Sequence, residues 1–147
     1  MLKETPKSTD FYIRMIGAGS GGKGVKGDVL FFEIWDPANR LSAKYKYVGR
    51  GLGMGPPDAI RTTEPWNLFR VKTPREVSGF GTTMARFTSI GGGPLCDNYL
   101  NLLGLGDMIY LNIKTTFEVG GGLSSSVGQF EWDPATVKSA AYSAAAG

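Results

Sequence analysis

Clusters of glycine enclose runs of β-branched and aromatic residues along this sequence, most completely at positions 78–93. There Ser-Gly-Phe-Gly precedes a run with a single charge, Arg86, and three glycines follow it. Glycine adopts the positive φ values that tight turns need, whereas β-branched and aromatic side chains favour strands. The pattern therefore predicts a central strand over roughly Thr82 to Ile90, entered and left through glycine turns.

The same pattern recurs before and after this strand. In the run 43–48, Tyr45 and Tyr47 alternate with Lys44 and Lys46, which predicts one packed face and one wet face. Short strands separated by Gly/Pro turns are typical of all-β folds. We expect an antiparallel β-sandwich or small β-barrel of about seven or eight strands, with Gly-rich turns and a short C-terminal helix. The other predicted strands are 11–16 (with Phe11, Ile13 and Met15 on one face), 29–35, 66–71, 108–119 and 127–132.

The run 108–119 is the longest alternating segment, with Ile109, Leu111 and Ile113 on one face. At ~3.3 Å per residue, twelve residues extend about 40 Å, which is long for a strand of a globular protein. Together with the strand that follows it forms a predicted amphipathic hairpin over residues 107–132. Such a hairpin suits a half-buried soluble strand pair and also a segment of a transmembrane barrel.

Two segments favour helix instead of strand. Residues 97–103 are compatible with one or two helical turns, with Asp97 as the N-cap. Asp133-Pro134 is a helix-start signal, and the alanine-rich stretch up to residue 146 has high helix propensity. The sequence thus predicts a polar N-terminal arm over 1–9, a single β-domain over 10–133, and an alanine-rich helix or tail over 134–147.

The sequence offers few residues for catalysis. It has no histidine, and Cys96 is its single cysteine, so imidazole chemistry and an intrachain disulfide are excluded. Gly17–Gly22 matches G-x-G-x-x-G, but the glycines that follow do not start the helix that a dinucleotide site needs. Only carboxylates brought together by folding, such as Glu33 and Glu131, could act as acid and base. We expect a non-enzymatic protein without a metal ion or cofactor.

Aromatic residues provide the candidate ligand-binding positions. Exposed tryptophans can stack on sugar rings, although tryptophans are more often buried in cores. Nucleic acid is an unfavourable ligand, because the alternation that exposes Lys44 and Lys46 turns Tyr45 and Tyr47 to the opposite face. The candidate site residues are Trp35, Trp66, Trp132, Tyr45, Tyr47 and Arg50.

These observations lead to three functional hypotheses. The first is a structural or interaction module that assembles with itself or binds a protein partner, because catalytic constellations are missing. The second is a small membrane-active, pore-forming toxin or effector that inserts the hairpin 107–132. The third is carbohydrate or small-ligand binding through the tryptophans. The sequence shows neither a secretory signal peptide nor an apolar run of the ~20 residues that a membrane helix needs. We therefore expect a cytoplasmic protein, or one exported by a route that the sequence does not show.

A short internal similarity leaves duplication open. Phe32-Glu-Ile-Trp-Asp-Pro-Ala38 resembles Phe130-Glu-Trp-Asp-Pro-Ala135, and each follows a glycine cluster. The additional residue in the first copy is compatible with a β-bulge. The similarity suggests two related hairpins that place Trp35 and Trp132 at equivalent rims, but we favour a chance match of a common strand-ending signal.

Overall fold

The fold is an antiparallel β-sheet that nearly closes into a barrel. A computed structural model describes residues 6–20, 28–52, 66–90, 97–106, 108–111, 123–132 and 137–140 of the 147-residue chain. These residues form nine strands and contain no helix. The strands are β1 (Ser8–Ser20), β2 (Asp28–Asp36), β3 (Leu41–Leu52), β4 (Asn67–Arg75), β5 (Met84–Ile90), β6 (Asp97–Leu102), β7 (Ile109–Leu111), β8 (Leu123–Trp132) and β9 (Lys138–Ser139).

Eight of the strands follow one another around the barrel in the order β4-β1-β2-β3-β8-β5-β6-β7, while β9 pairs with β3. The first and last strands of this order approach each other. Val71 of β4 forms an isolated antiparallel bridge with Gly106, and the N–H of Lys72 donates to the carbonyl of Leu105 at 3.1 Å. These contacts join β4 to the turn before β7. The gap between these two strands, which we call the seam, is therefore bridged at one point. The predicted antiparallel β-fold is therefore confirmed, in its barrel form.

The strand order contains two Greek keys in succession. A Greek key has three consecutive strands and a fourth that returns beside the first, in the spatial order 4-1-2-3. Strands β1 to β4 have this order, and β5 to β8 repeat it. Trp35 and Trp132 lie at or next to the ends of β2 and β8, at the same end of the barrel. Because β2 is the second strand of its key and β8 the fourth, the two similar segments do not occupy equivalent places in the keys.

Alternating side chains fill the barrel interior. On β1 the predicted inward residues Phe11, Ile13 and Met15 are buried, and on β3 Tyr45 and Tyr47 are buried while Lys44 and Lys46 are exposed. Period-two alternation on a curved sheet gives one packed face and one solvent face. The remaining buried apolar residues of the interior are Leu30, Phe32, Ile34, Ala43, Phe69, Val71, Val77, Phe80, Ala85, Phe87, Leu100, Leu102, Ile109, Leu111 and Phe130.

The two keys meet where β3 pairs with β8, and glycines allow this contact. Gly49 and Gly128 are cross-strand partners. A Cβ atom at Gly128 would lie 2.3 Å from the carbonyl oxygen of Val48, and one at Gly49 would lie 2.5 Å from the ring of Tyr47. A side chain at Gly128 would force the backbones of β3 and β8 apart, and one at Gly49 would displace the ring of Tyr47 on its own strand, which explains two glycines inside regular strands.

The two ends of the barrel differ in their connections. At one end, which we call the capped end, the structure describes the turn 37–40, the loop 76–83 and most of the turn 103–108. At the opposite end, β1, β3, β5 and β7 lead into the segments 21–27, 53–65, 91–96 and 112–122, which contain the glycine clusters and lie outside the described residues. The strand ends that border these four segments therefore lie at one end of the barrel.

The predicted helix over 97–103 is wrong, because Asp97–Leu102 forms strand β6. This strand pairs with β5 on one side and with β7 on the other. Leu100 and Leu102 are both buried, at a spacing of two residues. Six residues are too few for their apolar pattern to separate helix from strand, so the two neighbouring strands determine the conformation.

The predicted C-terminal helix is also wrong for the part of the tail that the structure describes. Lys138 and Ser139 are extended and pair with Ser42 and Leu41 of β3. The N–H of Ala140 donates to the carbonyl of Arg40 at 2.9 Å, and Val137 packs against the core. Alanine-rich segments of this length are marginal as isolated helices, and pairing with β3 satisfies the backbone instead.

Several predicted strand bounds change as well. β1 continues beyond the predicted end at residue 16 to Ser20, with a register shift between Met15 and Gly17. β4 continues to Arg75 through Pro74, which is tolerated because β4 lies at an edge of the sheet order. Of the predicted strand 108–119, the structure describes Met108 and β7 with Ile109 and Leu111 buried, and residues 112–119 lie outside the described residues.

Candidate functional site

Trp35 and Trp66 form a closed cluster on the outside of β1 and β2. Their ring centroids lie 5.5 Å apart, and Tyr12 packs on Trp35 at 5.3 Å. The guanidinium of Arg14 lies 4.3 Å from the ring centroid of Trp66. The indole N–H of Trp35 donates to the carbonyl of Ala140 at 3.1 Å. Because Trp35 is only 5% exposed, this pair anchors the tail and does not present an open stacking surface.

An ion pair lies beside this cluster. The Nε and Nη2 atoms of Arg14 donate to one carboxylate oxygen of Glu33 at 3.0 and 2.7 Å, and Glu33 is 2% exposed. Glu33 lies opposite Lys44 in the register, whereas Glu131 lies opposite Lys46 on the other side of β3. Folding therefore does not bring Glu33 and Glu131 together as an acid–base pair.

The remaining candidate residues lie apart from the tryptophan pair. Tyr45 and Tyr47 belong to the barrel core, and Arg50 belongs to β3, where it pairs with Val127 of β8. Trp132 lies at the end of β8, at the capped end. The six candidate residues therefore do not form one site, and Trp132 is the tryptophan of the three with the most open surroundings: it lines a cleft and is 36% exposed.

The loop 76–83 covers the capped end of the barrel, and we call it the cap loop. Its residues Val77 and Phe80 are buried, and the ring of Phe80 packs edge-on against Phe11 at 5.1 Å. The hydroxyl of Tyr45 donates to the carbonyl of Val77 at 2.6 Å and accepts from the N–H of Phe80 at 3.1 Å. Burial raises the pKa of Tyr45 above its usual range. The cap loop is thus fixed to β3 from inside the barrel.

The end of the cap loop is also fixed to β8. The N–H of Thr82 donates to the carbonyl of Phe130 at 2.8 Å, and the N–H of Phe130 donates to the carbonyl of Thr83 at 2.9 Å. Thr82 has a φ of 66°, a left-handed conformation that is a genuine outlier for a β-branched residue. Such strain costs of order 1–3 kcal/mol and persists where surrounding contacts impose it, often at ligand sites.

A cleft of about 560 Å³ opens between the cap loop and β8. Trp132 provides its aromatic surface. The polar side chains that line it are Ser78, Thr82, Gln129 and Glu131, and the amide of Gln129 donates to the carbonyl of Thr82 at 3.4 Å. Gly81 also lines the cleft, and a Cβ atom there would lie 3.1 Å from the Cβ atom of Trp132. The cleft therefore combines one aromatic ring with several hydrogen-bonding groups.

A second pocket of about 330 Å³ lies at the seam between β4 and β7. Leu68, Phe69, Met108 and Ile109 line it together with Arg70. The guanidinium of Arg70 donates to the carboxylate of Asp10 at 2.6 Å and lowers its pKa. The polar group of this pocket is thus already engaged within the chain.

Exposed apolar side chains lie on or next to the neighbouring strands β8, β5, β6 and β7. We call this surface the outer wall and define it by Val127, Met84, Leu103, Met108 and Tyr110, which are 38–59% exposed. The N–H of Leu103 donates to the carbonyl of Met84 at 3.0 Å, so these two residues are direct neighbours. Tyr99 and Tyr110 pair across β6 and β7 with centroids 5.4 Å apart.

Sequence reasoning missed most of the cleft. Trp132 was among the candidates, whereas Ser78, Thr82 and Gln129 were not. The alternation Gln129-Phe130-Glu131 could have indicated two polar side chains on one face of β8. The register between the cap loop and β8 joins residues about fifty positions apart, and no local pattern encodes it.

Comparison with protein-family models, with curated proteins and with solved structures found no match to this chain. Within the described residues, no group of three or more Cys, Asp or Glu side chains is arranged to hold a metal ion. Nor does that part of the chain contain a helix long and apolar enough to cross a membrane.

Proposed function

We propose that this protein is a non-enzymatic interaction module that associates with a second copy of itself through the outer wall. The observation that carries the proposal is the wall itself: five exposed apolar side chains on or beside four adjacent strands. Met84 and Leu103 are direct neighbours in this group, and grouped apolar side chains mark interaction sites in soluble proteins more often than single ones do.

Charges in and beside the wall favour a second copy over an unrelated partner. Arg86 lies within the wall, opposite Val127 in the register. Glu131 lies four residues further along β8, about 14 Å along the strand direction at ~3.4 Å per residue, so it cannot pair with Arg86 of its own chain. In a dimer whose two-fold axis passes between them, Arg86 of each copy would face Glu131 of the other, beside Lys46, the register partner of Glu131 within its own chain. Isologous interfaces use such self-complementary surfaces.

The partners of the buried carboxylates support a non-enzymatic role. Glu33 is held by Arg14, as described above. Asp36 is buried and accepts hydrogen bonds from the hydroxyl of Ser8 at 2.8 Å and from the amide of Asn39 at 2.7 Å. Both acids thus stabilise the strand ends and turn around them, whereas a catalytic acid needs access to a substrate.

A charge exchange tests the proposal. The mass of the wild-type protein is measured by sedimentation equilibrium from low to high micromolar concentration, with a dimer expected. Arg86→Glu and Glu131→Arg each place like charges together and should shift the equilibrium to monomer. The double variant restores both pairs in exchanged form and should recover the dimer. A wild-type monomer throughout, or a double variant no more associated than the single ones, contradicts the proposal.

Two controls complete the experiment. Met84→Ser removes apolar surface from the wall and should weaken association, whereas Phe31→Ser removes exposed apolar surface from β2, outside the wall, and should leave it unchanged. Repeating the wild-type measurement with liposomes tests the alternative of a membrane-active protein. Co-sedimentation with the liposomes, together with association that Arg86→Glu does not alter, would favour insertion of the hairpin 107–132.

A further inference from the structure

We infer that the cleft between the cap loop and β8 binds a neutral saccharide, with Trp132 as the stacking surface. The cleft is formed within one copy of the chain, although its lining residue Glu131 is also the proposed contact of Arg86 in the dimer. The cleft has a volume of about 560 Å³, which lies within the range of ~300–1,000 Å³ found for small-molecule sites. It lies at an end of a barrel, which is a frequent position for such sites.

Hydrogen bonds hold the cap-loop wall of the cleft in the absence of a ligand. Hydrogen bonds fix the cap loop to β3 through Tyr45 and to β8 through Thr82 and Phe130. The N–H of Thr83 donates to the carbonyl of Phe80 at 3.2 Å, which closes the turn that carries Thr82. A preformed site avoids the entropy cost of ordering a loop on binding. The left-handed Thr82 is held in place by these bonds and lines the cleft it helps to shape.

The space beside Trp132 depends on a glycine. Gly81 lines the cleft, and a Cβ atom at this position would approach the Cβ atom of Trp132 to 3.1 Å, closer than nearly all real contacts of this kind. A side chain at position 81 would therefore require Trp132 to shift by a few tenths of an ångström. Glycine keeps an open surface next to the indole ring.

The chemistry of the lining selects the class of ligand. The face of an indole carries partial negative charge and attracts the polarised C–H groups of a pyranose ring. The hydroxyls of Ser78 and Thr82 and the amide of Gln129 both donate and accept, which suits the hydroxyls of a neutral sugar. Among the described residues of the lining, Glu131 is the one charged side chain and would repel a phosphate or a carboxylate. Phe130 also lines the cleft but is buried, so within that part of the chain Trp132 is the exposed ring, and a single ring is a poor cage for a quaternary ammonium group.

Neutral oligosaccharides test the inference directly. The intact protein is screened on an array of neutral glycans and then titrated with cellotriose, maltotriose, xylotriose and chitotriose, with tryptophan fluorescence and calorimetry as readouts. At least one neutral glycan should bind at micromolar to millimolar concentration, and saturation-transfer NMR should show its ring C–H groups closest to the protein. Trp132→Ala should weaken binding about tenfold or more, because stacking on an aromatic ring contributes roughly this factor.

Matched variants separate this site from the others. Trp66→Phe changes a tryptophan outside the cleft and should leave the affinity unchanged, whereas Ser78→Ala should lower it severalfold. Trp132→Phe retains a ring and should bind between wild type and Trp132→Ala, which keeps the test valid if the alanine variant does not fold. Arg86→Glu, which is expected to abolish self-association, should bind the saccharide as wild type does.

Three results would overturn the inference. The first is the absence of binding to every neutral glycan at millimolar concentration. The second is binding that Trp132→Ala and Ser78→Ala leave unchanged while both variants retain the circular dichroism spectrum of wild type. The third is a preference for glucose 6-phosphate or choline over all neutral glycans, which would assign the cleft to a charged ligand instead.

Discussion

The hydroxyl of Tyr45 donates a 2.6 Å hydrogen bond to the carbonyl of Val77, and this bond joins strand β3 to the cap loop. The same oxygen accepts from the N–H of Phe80 at 3.1 Å. Tyr45, Val77 and Phe80 are all buried, so water does not replace these bonds when the hydroxyl is lost. One side chain from the barrel interior therefore satisfies two backbone groups of the loop that shapes the cleft.

Replacing Tyr45 by phenylalanine should destabilise the protein by about 1–3 kcal/mol, because it leaves a buried carbonyl and a buried N–H unsatisfied. The free energy of unfolding in urea measures this effect. Tyr99→Phe removes a hydroxyl from a partly exposed ring on the outside of β6 and should change stability by less than about 0.5 kcal/mol. Equal losses of unfolding free energy for the two substitutions would show that the hydrogen bonds of Tyr45 to the cap loop do not stabilise the fold.

The stability at alkaline pH should depend on the same residue. Burial raises the pKa of Tyr45 above its ordinary value of 10.0, so the folded protein retains the phenolic proton at a pH where the unfolded chain releases it. The unfolded state is then favoured as pH rises, and the free energy of unfolding falls above about pH 10. Urea midpoints from about pH 8 to pH 11 should fall more steeply for wild type than for Tyr45→Phe. The same pH dependence of the urea midpoint in both proteins would show that the ionisation of Tyr45 is not what lowers stability at alkaline pH.

Losing one partner of the ion pair between Arg14 and Glu33 should lower the free energy of unfolding more than replacing both partners does. Arg14→Met leaves the buried carboxylate of Glu33 without the guanidinium of Arg14. Breaking a buried ion pair costs ~3–5 kcal/mol of folding free energy, and we expect a smaller loss here because the Arg14 side chain is 22% exposed. The double variant Arg14→Met/Glu33→Met replaces both charges by apolar groups and should recover much of the loss, as urea unfolding can measure.

The ion pair of Arg70 and Asp10 is the matched control for this experiment. Its side chains are 75% and 48% exposed, so water screens their attraction. Arg70→Met should leave the unfolding midpoint nearly unchanged, although the guanidinium lowers the pKa of Asp10. A loss as large as that of Arg14→Met would mean that burial does not distinguish the two pairs.

The tail should stabilise its own barrel through residues 137–140. Ending the chain after residue 136 removes Val137 from the core, β9 from β3, and the acceptor of the Trp35 indole N–H. We expect a loss of roughly 1–3 kcal/mol, from two or three hydrogen bonds and a small apolar contact. Ending it after Ala140 retains these contacts and should cost less. Thermal unfolding compares the two, and equal melting temperatures would show that β9 does not contribute to stability.

The strand pattern was predictable because it is local. Alternation alone assigned Tyr45 and Tyr47 to the interior and Lys44 and Lys46 to solvent, and it identified Phe11, Ile13 and Met15 as one buried face. The short segment 97–102 and the tail at 138–139 were predicted as helix because their own residues permit it. Both became strands when neighbouring strands supplied hydrogen-bond partners.

The candidate site was less predictable than the fold. The three tryptophans were identified together, but the structure places Trp35 and Trp66 in a closed cluster and Trp132 beside an open cleft. Composition does not indicate which tryptophan is covered. Trp35 is covered because the tail reaches it and accepts its indole N–H, whereas Trp132 remains open because Gly81 has no side chain beside it.

The sequence by itself determined the fold class and most strand faces, because period-two alternation and glycine turns act over a few residues. Tertiary structure alone decided the order of the strands, the pairing of β3 with β8, and the position of the cap loop over Tyr45. These features join residues far apart in the chain, and their free energy comes from hydrogen bonds and buried contacts that exist only after the barrel closes. The cleft beside Trp132 belongs to this second group, since its two walls come from the cap loop and from β8.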